Sequence, residues 1–155
     1  PDSEPFLIAE AGIKHNGDID KAMEMIHIAK ESGVNAVKFF TYKTSEFILD
    51  KNLTHTYVSQ KQQIIESMYD MFRRCEFSKQ DWKKIKDKCD EEQILFLSTP
   101  QNRSDLDLLL EIGIPAIKVG SDDFTSIPLL KEYINDGILL PSAEEDINEL
   151  LSSNF

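Results

Sequence analysis

The chain has 155 residues, of which 41% are hydrophobic and 29% charged, and its net charge is −11. This length suffices for one domain with its own core, and no apolar run approaches the roughly 20 residues of a membrane-spanning helix. The negative charge argues against nucleic acid as a partner, because such binding depends on lysine and arginine contacts to phosphates. With no signal-peptide pattern at its start, the chain is expected to be cytoplasmic.

In the first half of the chain, strand-like apolar runs alternate with apolar residues at helical spacing. We predict a strand at Phe6–Glu10 and a helix from about Ile19 to Ser32 that stops at Gly33. A second strand at Ala36–Thr41 leads into a long polar connection, which a helix from about Ser59 to Cys75 follows.

The second half repeats the alternation. Ser78 is expected to cap a helix that places Trp82, Ile85 and Cys89 on one face. The remaining predicted elements are strands at Ile94–Ser98 and Ala116–Val119, a helix that ends at Gly113, a helix from Ser126 to about Ile134, a truncated strand at Gly137–Pro141 and an amphipathic helix at Ala143–Ser152.

In each of the four complete strand segments, a short apolar run ends in a polar residue. Helices between consecutive strands carry the chain back over the sheet, so the strands run parallel and their carboxyl ends share one rim. We therefore expect the four strand-end residues to converge: Glu10, Lys38, Thr99 and Lys118.

Four strand–helix units and a partial fifth predict an α/β fold that is part of a (β/α)8 barrel, since a closed barrel takes about 250 residues. An open doubly wound sheet of five strands is the alternative, and the strand number does not exclude it.

A small anion is compatible with this acidic chain, because a few inward lysines set a local field opposite to the overall one. Lys38 and Lys118 are the candidates for binding it. Cys75 and Cys89 are expected to be reduced thiols, and no cysteine pattern indicates a metal site.

Several motifs stand in the order and spacing of one known family. From about Pro5 to Ile134 the chain resembles the sialic acid synthases, also called N-acetylneuraminate synthases. The residues that carry the resemblance are Ile8–Gly17 (IAEAGIKHNG), Ala36–Thr41 (AVKFFT), Cys75–Trp82 (CEFSKQDW), Phe96–Pro100 (FLSTP), Ile117–Ser121 (IKVGS) and Ile127–Leu130 (IPLL).

The resemblance implies an enzyme that condenses phosphoenolpyruvate with an N-acetylated amino sugar aldehyde. The product is a nine-carbon 2-keto acid, and phosphate is lost. It also implies a divalent metal (Mn²⁺ or Mg²⁺) and a homodimer. On this basis, residues 1–155 are a single domain, roughly the first half of the catalytic barrel, in which nothing corresponds to the family's C-terminal antifreeze-like domain or to its metal-binding histidines.

By the same resemblance, four residues form the phosphoenolpyruvate-binding set: Lys38, Thr99, Lys118 and Ser121. Glu10 is the residue that contacts the sugar. The residue types suit the chemistry, since two lysines neutralise a carboxylate and a phosphate while hydroxyls add hydrogen bonds. A carboxylate beside a sugar can accept hydroxyl hydrogen bonds or move a proton.

Other interpretations of these residues stay open. Glu10 could bond backbone amides of the following loop, and His15 and Asn16 suit a tight turn or helix cap as well as ligand contact. Where the family usually has asparagine, glutamine, phenylalanine and glycine, this chain has Lys14, Phe40, Gln101 and Asp122.

These departures favour an alternative function, a non-catalytic anion-binding or regulatory homologue. A third alternative is another phosphate-binding barrel lyase, which requires a Schiff-base lysine.

Overall fold

A computed structural model describes residues 5–59, 61–121, 123 and 125–135. The strand predicted at 137–141, the helix predicted at 143–152 and the departure at Asp122 lie outside the described residues. None of the described helices is both long enough and apolar enough to cross a membrane.

Six strands and six helices are present in the described part of the chain. In chain order they are β1 (Ile8–Gly12), α1 (Ile19–Glu31), β2 (Ala36–Thr41), α2 (Thr44–Phe47), β3 (Thr54–Ser59), β4 (Gln62–Ser67), α3 (Met68–Cys75), α4 (Lys79–Glu91), β5 (Leu95–Pro100), α5 (Arg103–Glu111), β6 (Ala116–Ile117) and α6 (Ile127–Asn135).

Four strands form one sheet in the order β1-β2-β5-β6, and every neighbouring pair is parallel. The α/β class and the parallel strands are thus confirmed. Strand bounds differ slightly from expectation, since β1 begins at Ile8 while β5 continues through Thr99 to Pro100. The last described strand, β6, is shorter than predicted and ends at Ile117.

The helix predicted from Ser59 to Cys75 is wrong over its first half. Strands β3 and β4 form an antiparallel hairpin there, and Lys61 has the positive φ of 67° that a tight connection requires. Helix α3 begins only after Ser67, whose side chain accepts from the Asp70 amide. Ile64 and Ile65 belong to β4, so their side chains point to opposite faces of a strand.

The sheet has two faces of different character. Val37, Phe39 and Phe96 belong to the main core, which lies between the sheet and the helices. The opposite face carries a small separate cluster of Ala36, Leu97 and Ala116. Because side chains alternate along a strand, Glu10, Lys38 and Thr99 lie on the second face, which we call the inner face.

Local sequence signals fix the two long helices that cover the outer face. Asp18 caps α1 by accepting from the amides of Asp20 and Lys21. Ser78 and Asp81 form a reciprocal capping box at the start of α4, and the predicted apolar face of that helix is fully confirmed as buried. Both cysteine side chains are buried and free, as expected.

Gly17 lies where the turn after β1 meets the end of α3. Its φ is +77°, and a Cβ added there would lie 2.0 Å from the carbonyl oxygen of Arg74. This close approach of two backbones leaves room only for glycine.

A comparison of two glycine substitutions tests this contact. Gly33 has nearly the same φ, +74°, but no atom lies within 4 Å of an added Cβ. We expect Gly33→Ala to lower the free energy of unfolding by about 1 kcal/mol through backbone strain, and Gly17→Ala to lower it by roughly 3 kcal/mol or more. Urea unfolding followed by circular dichroism measures both, and equal losses would contradict the contact.

Candidate functional site

An ion pair joins the first two strands on the inner face. Glu10 and Lys38 are register partners in β1 and β2, and the Lys38 Nζ lies 2.7 Å from the Glu10 Oε2. The lysine side chain is only 8% exposed, whereas the glutamate side chain is 56% exposed. A nearly buried ammonium group requires a counter-charge, and here a solvent-facing carboxylate supplies it.

Thr99 lies on the neighbouring strand of the same face, where it is the register partner of Phe40. It is 2% exposed, and its Oγ1 has no hydrogen-bond partner among the described residues. A buried hydroxyl without a partner is uncommon in proteins.

Lys118 and Ser121 follow the last strand of the sheet. The Lys118 amide donates to the Ser98 carbonyl at 3.0 Å, so the parallel ladder continues one residue beyond β6. Both residues are exposed, and no described carboxylate pairs with the Lys118 side chain. The structure thus brings Glu10 and Lys38 into contact; it places Lys118 on the same sheet and Ser121 in the loop after it.

His15 belongs to the core. It is 1% exposed and stacks on Phe77 with 4.1 Å between ring centroids, and its Nδ1 accepts from the Gly17 amide. Burial lowers the pKa of the imidazole to about 4, which outweighs the opposite influence of Asp18. A neutral ring packed in this way holds the turn after β1 in shape, so a structural role is favoured over ligand contact.

Arg74 connects that turn to the β3–β4 hairpin. Its Nε donates to the Asn16 Oδ1 at 3.3 Å, and its two terminal nitrogens bind the Glu66 carboxylate at 3.1 and 3.2 Å. Tyr57 of β3 donates to the same carboxylate. This network was not predicted from the sequence, because it depends on the β3–β4 hairpin, where a helix was expected.

Asp105 is a second residue that the sequence did not single out. Its side chain lies in the first turn of α5, 4% of the residue is exposed, and its Oδ2 has no described partner. Burial raises the pKa of this carboxyl to about 7, and the nearby charges of Glu46 and Glu76 act in the same direction. A helical pattern alone does not reveal that an acidic residue faces inward.

The family resemblance implies a divalent metal, which needs several donor side chains close together. Within residues 5–59, 61–121, 123 and 125–135, no cluster of three or more histidine, cysteine, aspartate or glutamate side chains could hold a metal ion. The described residues therefore offer no fitting ligand set, and we assign the metal no step.

Comparison with known proteins matches residues 25–140 to the NeuB family. The N,N'-diacetyllegionaminic acid synthase of Campylobacter jejuni is 33% identical over 94% of this chain and 44% of its own length. The N-acetylneuraminate-9-phosphate synthase of Mus musculus is 33% identical over 85% of this chain and 36% of its own. The chain thus spans less than half the length of these curated relatives.

A solved structure shows the same fold. The N-acetylneuraminic acid synthetase from Leptospira borgpetersenii, determined in complex with citrate, superposes with a TM-score of 0.75 at 27% identity. The match covers 97% of this chain and 51% of that one. The prediction of a partial (β/α) barrel is confirmed, and the alternative of an open doubly wound sheet is not.

Parallel strands, helices on one face and charged side chains on the other define the molecule as part of a (β/α)8 barrel. The chain belongs to the NeuB family. The resemblance to sialic acid synthases that the motifs indicated is therefore confirmed.

The raised pKa of Asp105 predicts a pH-dependent stability. Between the ordinary carboxyl value of 3.8 and about 7 the native state binds more protons than the unfolded state, so this carboxyl makes stability fall as the pH rises through that range. We expect Asp105→Asn to remove this decline. Relative to wild type, the variant should gain roughly 1–3 kcal/mol between pH 4 and pH 8.

Urea unfolding at several pH values measures the effect. Asp87→Asn serves as the control, because that carboxyl is exposed on α4. Parallel pH profiles for wild type and Asp105→Asn would contradict the assignment.

Proposed function

We propose that this chain contributes the phosphoenolpyruvate-binding part of a nonulosonic acid synthase. The reaction condenses phosphoenolpyruvate with an N-acetylated amino sugar aldehyde to a 2-keto acid and releases phosphate. Membership of the NeuB family supports this proposal. The observation that carries it is the Lys38–Glu10 pair on the inner face of the barrel sheet.

In this proposal the two lysines neutralise the anionic groups of phosphoenolpyruvate. Lys38 binds one group on β2, and Lys118 binds the other beyond β6, with β5 between them. The hydroxyls of Thr99 and Ser121 donate additional hydrogen bonds. Charge-assisted bonds of this kind are the strong ones, and fixed donors stabilise charge that develops during reaction.

Glu10 has two roles in the proposed cycle. Without ligand it neutralises Lys38, as the 2.7 Å contact supports. When an anion takes its place on the ammonium group, the carboxylate becomes available to a sugar hydroxyl or as a proton acceptor. Its 56% exposed side chain has room for that movement.

The proposed partners are phosphoenolpyruvate, an amino sugar and a second copy of this chain. An exposed apolar stretch at the start of β1 supports self-association, because Phe6, Leu7 and Ile8 are 53%, 50% and 40% exposed. Sedimentation equilibrium tests this part of the proposal: we expect a dimer, and a monomer at all concentrations would contradict it. A cytoplasmic location stays a prediction.

Thermal unfolding in the presence of phosphoenolpyruvate tests the site. Ligand at about 100 times its Kd stabilises the native state by roughly 2.7 kcal/mol, which raises Tm by several degrees. Lys38→Met should abolish this shift. Lys83→Met, which removes an exposed lysine of α4, should retain it.

An unchanged Tm of the wild-type protein at saturating phosphoenolpyruvate would contradict the site assignment. Where protection is found, a product assay with phosphoenolpyruvate, N-acetylmannosamine and Mn²⁺ separates a synthase from a non-catalytic anion-binding homologue, which binds without turnover. Borohydride trapping at Lys38 or Lys118 would instead reveal a Schiff-base lyase.

A further inference from the structure

Phe40 lies beside the Lys38–Glu10 pair on the inner face. It follows Lys38 by two residues on β2, so both side chains project from the same side of the sheet. Across to β5, its register partner is Thr99. The residue is half-buried, so it is not sealed within the core.

Other aromatic residues hold the Phe40 ring in place. Its centroid lies 5.6 Å from that of Tyr42 and 6.0 Å from that of Phe47, which meets it edge to face. Phe47 packs in turn against Phe72, with 5.1 Å between centroids. A ring supported in this way forms a fixed apolar wall next to a charged group.

We infer that Phe40 is a specificity-determining residue of the anion site, where it contacts an apolar carbon branch on the bound anion. This inference rests on the proposed function. A lysine ammonium group binds the anionic groups and does not distinguish what the carbon between them carries. An aromatic face makes additional apolar contact only when that carbon carries a methyl or methylene group. The favoured ligand class is therefore a small phosphocarboxylate with a one-carbon branch.

Two stable ligands isolate the branch. Phospholactate and phosphoglycolate carry the same carboxylate and phosphate, and they differ by a single methyl group. Isothermal titration calorimetry gives the Kd of each for the same protein. Burial of one methyl-sized group corresponds to about a fourfold change in affinity, so wild type should bind phospholactate about fourfold more tightly than phosphoglycolate.

Phe40→Ala should bring the ratio of the two Kd values to about one. Phe40→Leu keeps an apolar side chain, and it should retain part of the preference and remain folded if the alanine variant does not. Leu49→Ala is the control, because Leu49 is an apolar side chain that is 87% exposed, and its removal should leave the ratio unchanged.

The outcomes separate this inference from the function on which it rests. If wild type binds neither ligand, the proposed function itself fails and the inference fails with it. If wild type binds both without preference, or if both Phe40 variants keep the full wild-type ratio, the anion site stands and the role of Phe40 is overturned.

Discussion

The ion pair between Lys38 and Glu10 is the interaction on which the inner face depends. Without Glu10, the ammonium group of a side chain that is 8% exposed would have no described counter-charge, which is costly in a barrel interior. The pair is compatible with the observed strand register, in which Glu10 of β1 and Lys38 of β2 lie opposite each other. The parallel pairing of β1 and β2 thus brings the two opposite charges together, and their attraction stabilises that pairing.

Strand alternation extends this constraint to the rest of the sheet. Once Lys38 faces inward, Val37 and Phe39 must face the helices, where they join the main core. On the inner face, Ala36, Leu97 and Ala116 form a small buried apolar cluster. An inner face that carries charged and polar side chains beside this cluster suits a barrel, whose chemistry takes place at the carboxyl-end face.

The sequence predicted those parts of the fold that depend on short-range signals. Caps such as Ser78 and stops such as Gly33 placed the long helices, and the apolar runs placed the parallel strands. The hairpin was missed because the helix was predicted across Lys61, whose positive φ marks the turn between β3 and β4. Of the candidate site, the sequence identified Glu10 and Lys38, whereas the burial of Asp105 depends on tertiary packing that no local pattern encodes.

Arg74 links the turn after β1 to the β3–β4 hairpin. A two-stranded hairpin has little stability of its own, and this one is tied to the turn after β1 through the guanidinium group that Glu66 and Asn16 share. A substitution of Arg74 removes its bond to Asn16 and its ion pair with Glu66 at the same time. Variation in the hairpin and in the first turn is thus expected to be correlated during evolution, although the two segments are distant in the sequence.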